Sequence, residues 1–417
     1  MKSPDERRGV KRVADHLSAV LSAVRPLTPI DVQLLDAHGC VLTEDVIAPW
    51  ALPQFDNSSM DGYAVRAEDI QDANPDKPVE LPVVADIAAG DSGANAIVPG
   101  HTARIMTGAP VPAGADAIVP VEQTDGGTVR VRIMAPAQVG KFIRRVGEDV
   151  QVGDTVLTAG TFLGAPQLGL LAAVGRDRVI VRPRPRVVVI STGSELVEPG
   201  LPLRPGQITD ANSFTLTAAA REAGAVAYRV APVPDDPDKL IGLIEDQLIR
   251  ADLVVTSGGV SAGAYDTVKE VLSKRGTVTF DQVAMQPGKP QGFGTIGDDD
   301  TPIFTLPGNP VSAFVSFEVF VRPAIRKMIG SPRLHRATVR AVLQSTLRSP
   351  EGRRQFARAR LQTGRDGSHQ VTPLGGQASH LLADLAYANA LVVVPEQVTE
   401  VAAGQVVDAV LLERPKD

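Results

Sequence analysis

Val187-Val-Val-Ile-Ser-Thr-Gly-Ser-Glu195 and Asp252-Leu-Val-Val-Thr-Ser-Gly-Gly-Val-Ser-Ala-Gly263 decide the architecture. Each is a short run of branched apolar residues that stops at hydroxyls and glycine. A strand apolar along its whole length is buried on both faces, as in parallel sheets covered by helices. The intervening sequence supplies those helices. Residues 212–223 are helical and stop at Gly224, and Ala225–Val230 is a strand. Asp236-Pro237 is an N-cap with proline at the first helical position, opening a helix to about residue 250. A helix at 266–275 and strands at 277–284, 291–296 and 302–306 follow. Asn309-Pro310 then caps a helix from Val311 to about Ile329, ended by Gly330. This alternation predicts a doubly wound α/β domain over 183–330, entered through the proline-rich Arg182-Pro-Arg-Pro-Arg186.

On the N-terminal side, apolar residues at 10, 13, 17, 20, 21 and 24 predict a helix over 10–24, and a second helical stretch is expected at 30–37 before Gly39. Residues 50–150 are dense in Pro, Gly, Val and Ile, with short runs such as Ala103-Arg-Ile-Met106 and Val129-Arg-Val-Arg-Ile133, and predict a mostly β domain. Residues 150–182 return to strand, helix and strand. From 335 onward, alternating runs such as Gln355-Phe-Ala-Arg-Ala-Arg-Leu361 predict a small β-barrel or sandwich.

The 417 residues suggest two to four domains at about 150 residues each. Hydrophobic residues at 43% and charged residues at 22% exclude wholesale disorder and fibrous architecture. A net charge of −6 supplies no basic field for nucleic acid, and aromatics at 4% leave few stacking platforms for single strands. Cys40 is the one cysteine, so an intrachain disulfide and a Cys-rich zinc site are excluded. His16, His38, His101, His335, His369 and His380 show no metal-ligand spacing. No apolar run approaches the roughly 18 residues of a membrane helix, and the charged N-terminus lacks the core of a signal peptide. The expectation is a cytoplasmic protein with no nucleic-acid or membrane partner.

Three loops at predicted strand ends carry the chemistry: Ser191-Thr-Gly-Ser-Glu195, Ser257-Gly-Gly-Val-Ser-Ala-Gly263 and Leu306-Pro-Gly-Asn-Pro310. Open α/β sheets bind ligands at the carboxyl ends of their strands. Gly258, Gly259 and Gly308 allow close approach of backbone N–H groups to an anion, Ser261 adds a hydroxyl, and the helix opened by Asn309-Pro310 presents free N–H groups. One such loop would be an ordinary tight turn; three together favour a ligand site. No Walker A sequence and no helix-opening Gly-x-Gly-x-x-Gly is present, which removes the standard nucleoside-triphosphate and dinucleotide readings. Glu195, Asp235 and Asp266 stand beside these loops as carboxylates suited to Mg²⁺; Asp266 reads equally as a helix cap, and Asp236 is better explained as one. Lys289, framed in Gln286-Pro-Gly-Lys-Pro-Gln291, is a point charge for a phosphate. A second cluster lies in Phe55-Asp-Asn-Ser-Ser-Met-Asp-Gly-Tyr-Ala-Val-Arg66, Arg104-Ile-Met-Thr-Gly-Ala-Pro110 and Phe142-Ile-Arg-Arg-Val-Gly-Glu-Asp149, where Arg144 and Arg145 could clamp an oxyanion.

Taken in order, these segments together with Leu306-Pro-Gly-Asn-Pro-Val-Ser312 resemble the molybdopterin molybdenumtransferases, a family similar to the gephyrin E domain. The resemblance runs from about residue 10 to 415. It implies four regions: a split helical/β domain (1–50 and 150–182), an inserted β-rich domain (51–149), a molybdopterin-binding α/β domain (183–330) and a C-terminal β-barrel (331–417). It also implies an elongated homodimer whose active cleft is shared between the α/β domain of one subunit and the inserted domain of the other. The implied reaction inserts molybdate into adenylylated molybdopterin with release of AMP. The family's functional acids fall on Asp61, Asp149, Glu195, Asp235 and Asp266, and Thr107, Arg144 and Ser379 are donors for molybdate. Family members often carry basic residues where this chain has Gln282 and Gln286, which can hydrogen-bond an anion but bring no charge to it. A molybdopterin adenylyltransferase and molybdoenzyme apoproteins are the implied partners. Two alternatives are an adenylyltransferase, which would need only the α/β domain, and a non-catalytic pterin-binding scaffold, which would not need the acids.

Overall fold

The computed structural model describes residues 9–92, 94–259, 267–274, 278–376 and 378–412. The chain divides into two compact units, one of Met1–Ile30, Gly39–Thr43 and Ile180–Asp417, the other of Asp31–His38 and Glu44–Val179.

The first unit contains the α/β domain: β1 (Arg186–Ser191), α1 (Asn212–Glu222), β2 (Val226–Arg229), α2 (Pro237–Leu248), β3 (Leu253–Ser257), α3 (Thr267–Lys274), β4 (Val278–Gln282), β5 (Pro290–Ile296) and β6 (Thr301–Leu306). They form one sheet of order β2-β1-β3-β6-β5-β4. The pairs β1–β2, β1–β3 and β3–β6 are parallel, while β4–β5 and β5–β6 are antiparallel. The sheet is therefore mixed. Residues 283–289 and 297–300 are too few for the dozen-residue crossover a parallel neighbour needs, so β4, β5 and β6 turn back on one another.

Successive residues of β1 face opposite layers. Val187 and Val189 pack with Leu216 and Ala219 of α1, whereas Val188 and Ile190 pack with Leu240 and Ile244 of α2 and Val268 of α3. This two-sided burial is the reason for the unbroken apolar runs. Asp236 caps α2 by accepting from the N–H groups of Asp238 and Lys239, at 3.1 and 3.2 Å. After β6, α4 (Pro310–Ser316) passes through a π turn at Phe317–Val321 into α5 (Arg322–Met328). Pro323 has no N–H to donate, which loosens the regular ladder at that point.

The C-terminal strands Thr338–Leu343, Arg354–Thr363, His369–Pro373, Ala390–Val394 and Val406–Leu411 close a barrel, because Arg354–Thr363 pairs with both His369–Pro373 and Ala390–Val394. This decides between the barrel and the sandwich. Met285–Gln286 adds in parallel to the Arg354 end of that strand.

The helix Val13–Ala23 buries Val13, His16 and Val20, the face set by its spacing. His16 lies edge-on to Phe320, with ring centroids 4.8 Å apart, and 3.5 Å from the Asp281 carboxylate, which also pairs with Lys11 at 3.1 Å. Burial, reinforced by the Lys11 charge and opposed by Asp281, lowers the His16 pKa to about 4.

The second unit is built on a sheet of Ala117–Pro120, Gly62–Val65, Thr102–Ile105, Val79–Ile87 and Arg130–Ile133, in that order. Tyr63, Val65, Leu81, Val119 and Ile133 form one core on it, and Ala64, Ile87, Ile105 and Ile118 another. The helix expected at 30–37 is instead a strand, Ile30–Gln33, followed by a 3₁₀ turn, Leu34–Ala37. Pro29 and the branched Ile30 and Val32 suit an extended chain, and Leu35 is 83% exposed, so no apolar helix face exists to bury.

Candidate active site

After β1 the chain moves to β2 on one side of the sheet, and afterwards to β3 on the other. The crevice at this reversal, beyond the carboxyl ends of β1 and β3, is where open α/β sheets bind ligands. A cavity of about 650 Å³ lies there. Of the expected ligand residues, Glu195, Asp235, Gly258, Gly259, Gly308, Asn309 and Pro310 line it.

The geometry explains the glycines. Gly258 has a φ of +106°, and a Cβ there would meet the Thr192 carbonyl and lie 2.8 Å from its hydroxyl. Gly259, with a φ of +65°, stands against Val268. The Glu195 carboxylate folds back over Gly193, its oxygens 2.7 and 2.8 Å from the point where a Cβ would sit. Asp235 and Ser194 bind reciprocally: the Ser194 N–H donates to Asp235 Oδ2, and the Asp235 N–H donates to Ser194 Oγ, both at 3.1 Å. Glu195 and Asp235 thus bring two exposed hard-oxygen donors to one cavity, with no Lys or Arg partner to either among the described residues. That donor set fits Mg²⁺ completed by substrate oxygens. Among the described residues no group of three or more protein ligands forms a closed metal cage. Ser261 and Asp266 lie outside the described residues.

At the third loop the structure corrects one expectation. Asn309 does not cap α4 with its side chain. Its amide donates to Ser379 Oγ at 2.9 Å, and the Val311 N–H donates to the Ser379 carbonyl at 3.0 Å. The turn from the C-terminal barrel therefore occupies one of the helix-start donors, sets Ser379 against Asn309 and places His380 at the cavity wall. Arg358, buried in the barrel strand, holds that turn: its guanidinium donates to the carbonyls of Gly376 and Ala378, at 2.5 and 3.1 Å.

Lys289 does not line the cavity, although its neighbour Pro290 does. It is half-buried and has no carboxylate partner among the described residues. Gln286 accepts from Arg353 at 3.2 Å, so a guanidinium stands where this sequence lacks a basic residue of its own. Gln282 ends β4 and is exposed.

In the second unit, Asp61 and Thr107 meet. Asp61 Oδ1 accepts the Thr107 N–H at 2.6 Å and its hydroxyl at 2.7 Å. These two bonds, the backbone one first, hold the Asp61 pKa below the usual carboxylate value. Arg144 is exposed on a short strand whose backbone pairs with Asn57. Its neighbour Arg145 is committed to Asp56 at 2.6 Å and is not a second free clamp. Asp149 borders a separate hollow with Asp154 and Leu170, apart from Asp61 and Thr107.

Sequence reading missed Asp210, Asn212 and Arg358. Asp210 is 1% exposed yet borders the cavity, and Asn212 donates to Ser257 Oγ at 2.8 Å and to the Gly308 carbonyl at 2.6 Å, tying two glycine loops together. The Asp-x-Asn spacing just before a predicted helix was the available signal, and it reads equally as a cap. Arg358 looked like one polar residue of an alternating strand.

Comparison with known proteins finds three family matches along the chain. Residues 11–175 match the model of the MoeA N-terminal region (domain I and II), residues 188–327 that of a probable molybdopterin binding domain, and residues 340–412 that of the MoeA C-terminal region (domain IV). The chain is 52% identical over 404 residues to molybdopterin molybdenumtransferase 2 of Mycobacterium tuberculosis, covering 95% of this chain and 98% of the relative. It is 42% identical over 424 residues to molybdopterin molybdenumtransferase 1 of the same organism, covering 97% and 99%. A crystal structure of the molybdopterin biosynthesis moeA protein from Pyrococcus horikosii superposes with a TM-score of 0.77 at 33% identity, covering 97% of this chain and all of that one.

Proposed function

Because the chain belongs to the molybdopterin molybdenumtransferase family, we propose that the cavity at the ends of β1, β3 and β6 holds adenylylated molybdopterin and that AMP leaves as molybdenum is inserted. The protein is a transferase of molybdenum cofactor biosynthesis, and molybdopterin and molybdate are its substrates. Full-length coverage of the relatives weighs against an enzyme that is only an adenylyltransferase. The observation that carries the AMP-releasing reading is the pairing of a glycine-lined crevice with two carboxylates that have no cationic partner among the described residues.

The residues have distinct parts in this reading. The glycine loops bring backbone N–H groups to the phosphates, and Lys289 adds a positive charge at the neighbouring turn. Glu195 and Asp235, together with Asp266, would hold Mg²⁺, which would supply positive charge to the phosphate region when bound. Ser379, fixed by Asn309, directs a hydroxyl to the same region, and with Thr107 and Arg144 it belongs to the molybdate donors. The four-region partition at 50, 150, 182 and 330, the homodimer with a cleft shared between subunits, and cytoplasmic location are parts of the same proposal, supported by the family likeness.

The test is incubation of the full-length protein with adenylylated molybdopterin, Mg²⁺ and molybdate. AMP release that requires molybdate and stops with chelator supports the reading; binding without release favours a scaffold. For the shared cleft, mixed dimers of Asp61→Ala and Asp266→Ala subunits should recover activity that neither variant shows alone. No recovery rejects it.

A further inference from the structure

Behind the cavity wall lies a charged network that the proposed reaction does not use. Asp210 is almost wholly buried. Its Oδ1 accepts the Ser191 hydroxyl at 2.9 Å and the Ser213 N–H at 3.1 Å, and its Oδ2 accepts the Ser213 hydroxyl at 2.5 Å. Ser191 is the last residue of β1 and Ser213 lies in the first turn of α1, so one carboxylate joins the strand end to the helix start. Arg229, the last residue of β2, approaches from the other side. Its Nη1 donates to Ser213 Oγ at 3.4 Å and lies 4.0 Å from Asp210 Oδ2. The same guanidinium forks onto Glu198, at 2.8 and 3.0 Å, and stacks over the Phe214 ring at 4.3 Å.

Glu198 closes the segment that carries Glu195. Beyond it the chain wanders through Pro199, Gly200, Pro202, Pro205 and Gly206, with Leu201 and Leu203 exposed, so that excursion has no packing of its own to hold the segment. Its start is held by the Gly193 N–H on the Val233 carbonyl and by the Ser194–Asp235 pair; its far end is held by the short parallel ladder of Leu196–Val197 on Ile208–Thr209 and by the Arg229–Glu198 fork. Both ends of that ladder are cavity wall: Glu195 on one side, Asp210 and Asn212 on the other.

We propose that Arg229 is a positioning residue: through Glu198 and the Ser213–Asp210 relay it sets the distance between the Glu195 loop and the start of α1, and so the fit of the adenylylated ligand. The inference rests on the cavity being the nucleotide-binding site. Arg229 stands at the end of an edge strand and joins neither apolar core, so losing it should loosen the wall without unfolding the domain.

The experiment compares wild type, R229Q, R229K, E198Q and the R229Q/E198Q double variant in steady-state turnover and thermal melting. R229Q should raise KM for adenylylated molybdopterin about tenfold with kcat within about twofold, and melt within a few degrees of wild type. R229K, which keeps the charge but not the fork, should fall between them. The double variant should be no worse than R229Q alone, because the two residues form one unit. An unchanged KM in R229Q, or a melting loss with unchanged kinetics, overturns the proposal. Calorimetric titration with AMP separates this idea from the reaction itself. If wild type binds AMP yet releases none from the substrate, the proposed reaction fails, while weaker AMP binding by R229Q still upholds the role of Arg229. Equal heats in the two proteins, or none in either, reject it.

Discussion

A single oxygen of Asp61 accepts two hydrogen bonds from one residue: the Thr107 N–H at 2.6 Å and the Thr107 hydroxyl at 2.7 Å. Both donors favour the charged form and push the carboxyl below its ordinary pKa, so it stays ionised further into the acid range. The same bonds turn the threonine hydrogen inward and leave the hydroxyl lone pairs and the second carboxylate oxygen for other partners.

Asp61→Asn keeps an acceptor oxygen but removes the charge. A charge-assisted bond is stronger than a neutral one, so the Thr107 contact should loosen and AMP release should fall severalfold. Both residues are exposed, and the melting temperature should move little. Turnover equal to wild type would remove this pair from the reaction.

Gly258→Ala tests the crevice directly. The new methyl needs a positive φ and runs into the Thr192 carbonyl. Strain of this kind costs on the order of 1–3 kcal/mol, and relieving it must push the β1 and β3 loops apart. Calorimetry should show weaker nucleotide binding together with a lower melting temperature. Unchanged affinity would mean that the ligand does not touch this loop.

The Lys289 and Arg353 charges lie near the Gln286 turn, and neither has a carboxylate partner among the described residues. Lys289→Ala should weaken substrate binding by about 2–5 kcal/mol if ligand and lysine are buried together. Arg353→Ala should raise the molybdate concentration needed for half-maximal AMP release. If it does not, Gln286 has no cationic substitute.

His16 makes stability depend on pH. Its folded pKa, about 4, lies below the ordinary 6.5, so the unfolded chain binds the extra proton between those values. Stability therefore falls as pH drops from 6.5 to 4, by about 3 kcal/mol in full. His16→Gln removes this dependence. Urea midpoints at pH 7 and pH 4.5 should differ less in the variant than in wild type; equal differences would show that the imidazole does not titrate in this window.

How much was readable beforehand varied with the kind of interaction. The runs Val187–Ile190 and Leu253–Val255 declared a sheet covered on both faces, because burial of successive side chains leaves a local mark in sequence. Gly258 and Gly259 declared close backbone approach for the same reason. At Ile30–Ala37 the pattern misled, since eight residues with apolar 30, 32, 34 and 35 fit either period, and pairing with a strand about 150 residues away settled it.

Local order thus determined the α/β core, the glycine loops, the Asp236 cap and the carboxylates at strand ends. Tertiary structure alone decided that Ser379 meets Asn309 across 70 residues, that Arg358 fastens the turn bearing Ser379, and that Asp210 is buried against Ser191 with Arg229 at its back. Hydrophobic burial repeats with the period of its own element and is legible one segment at a time. A buried polar group is satisfied by whatever distant group the fold brings to it, and its partner is written nowhere nearby.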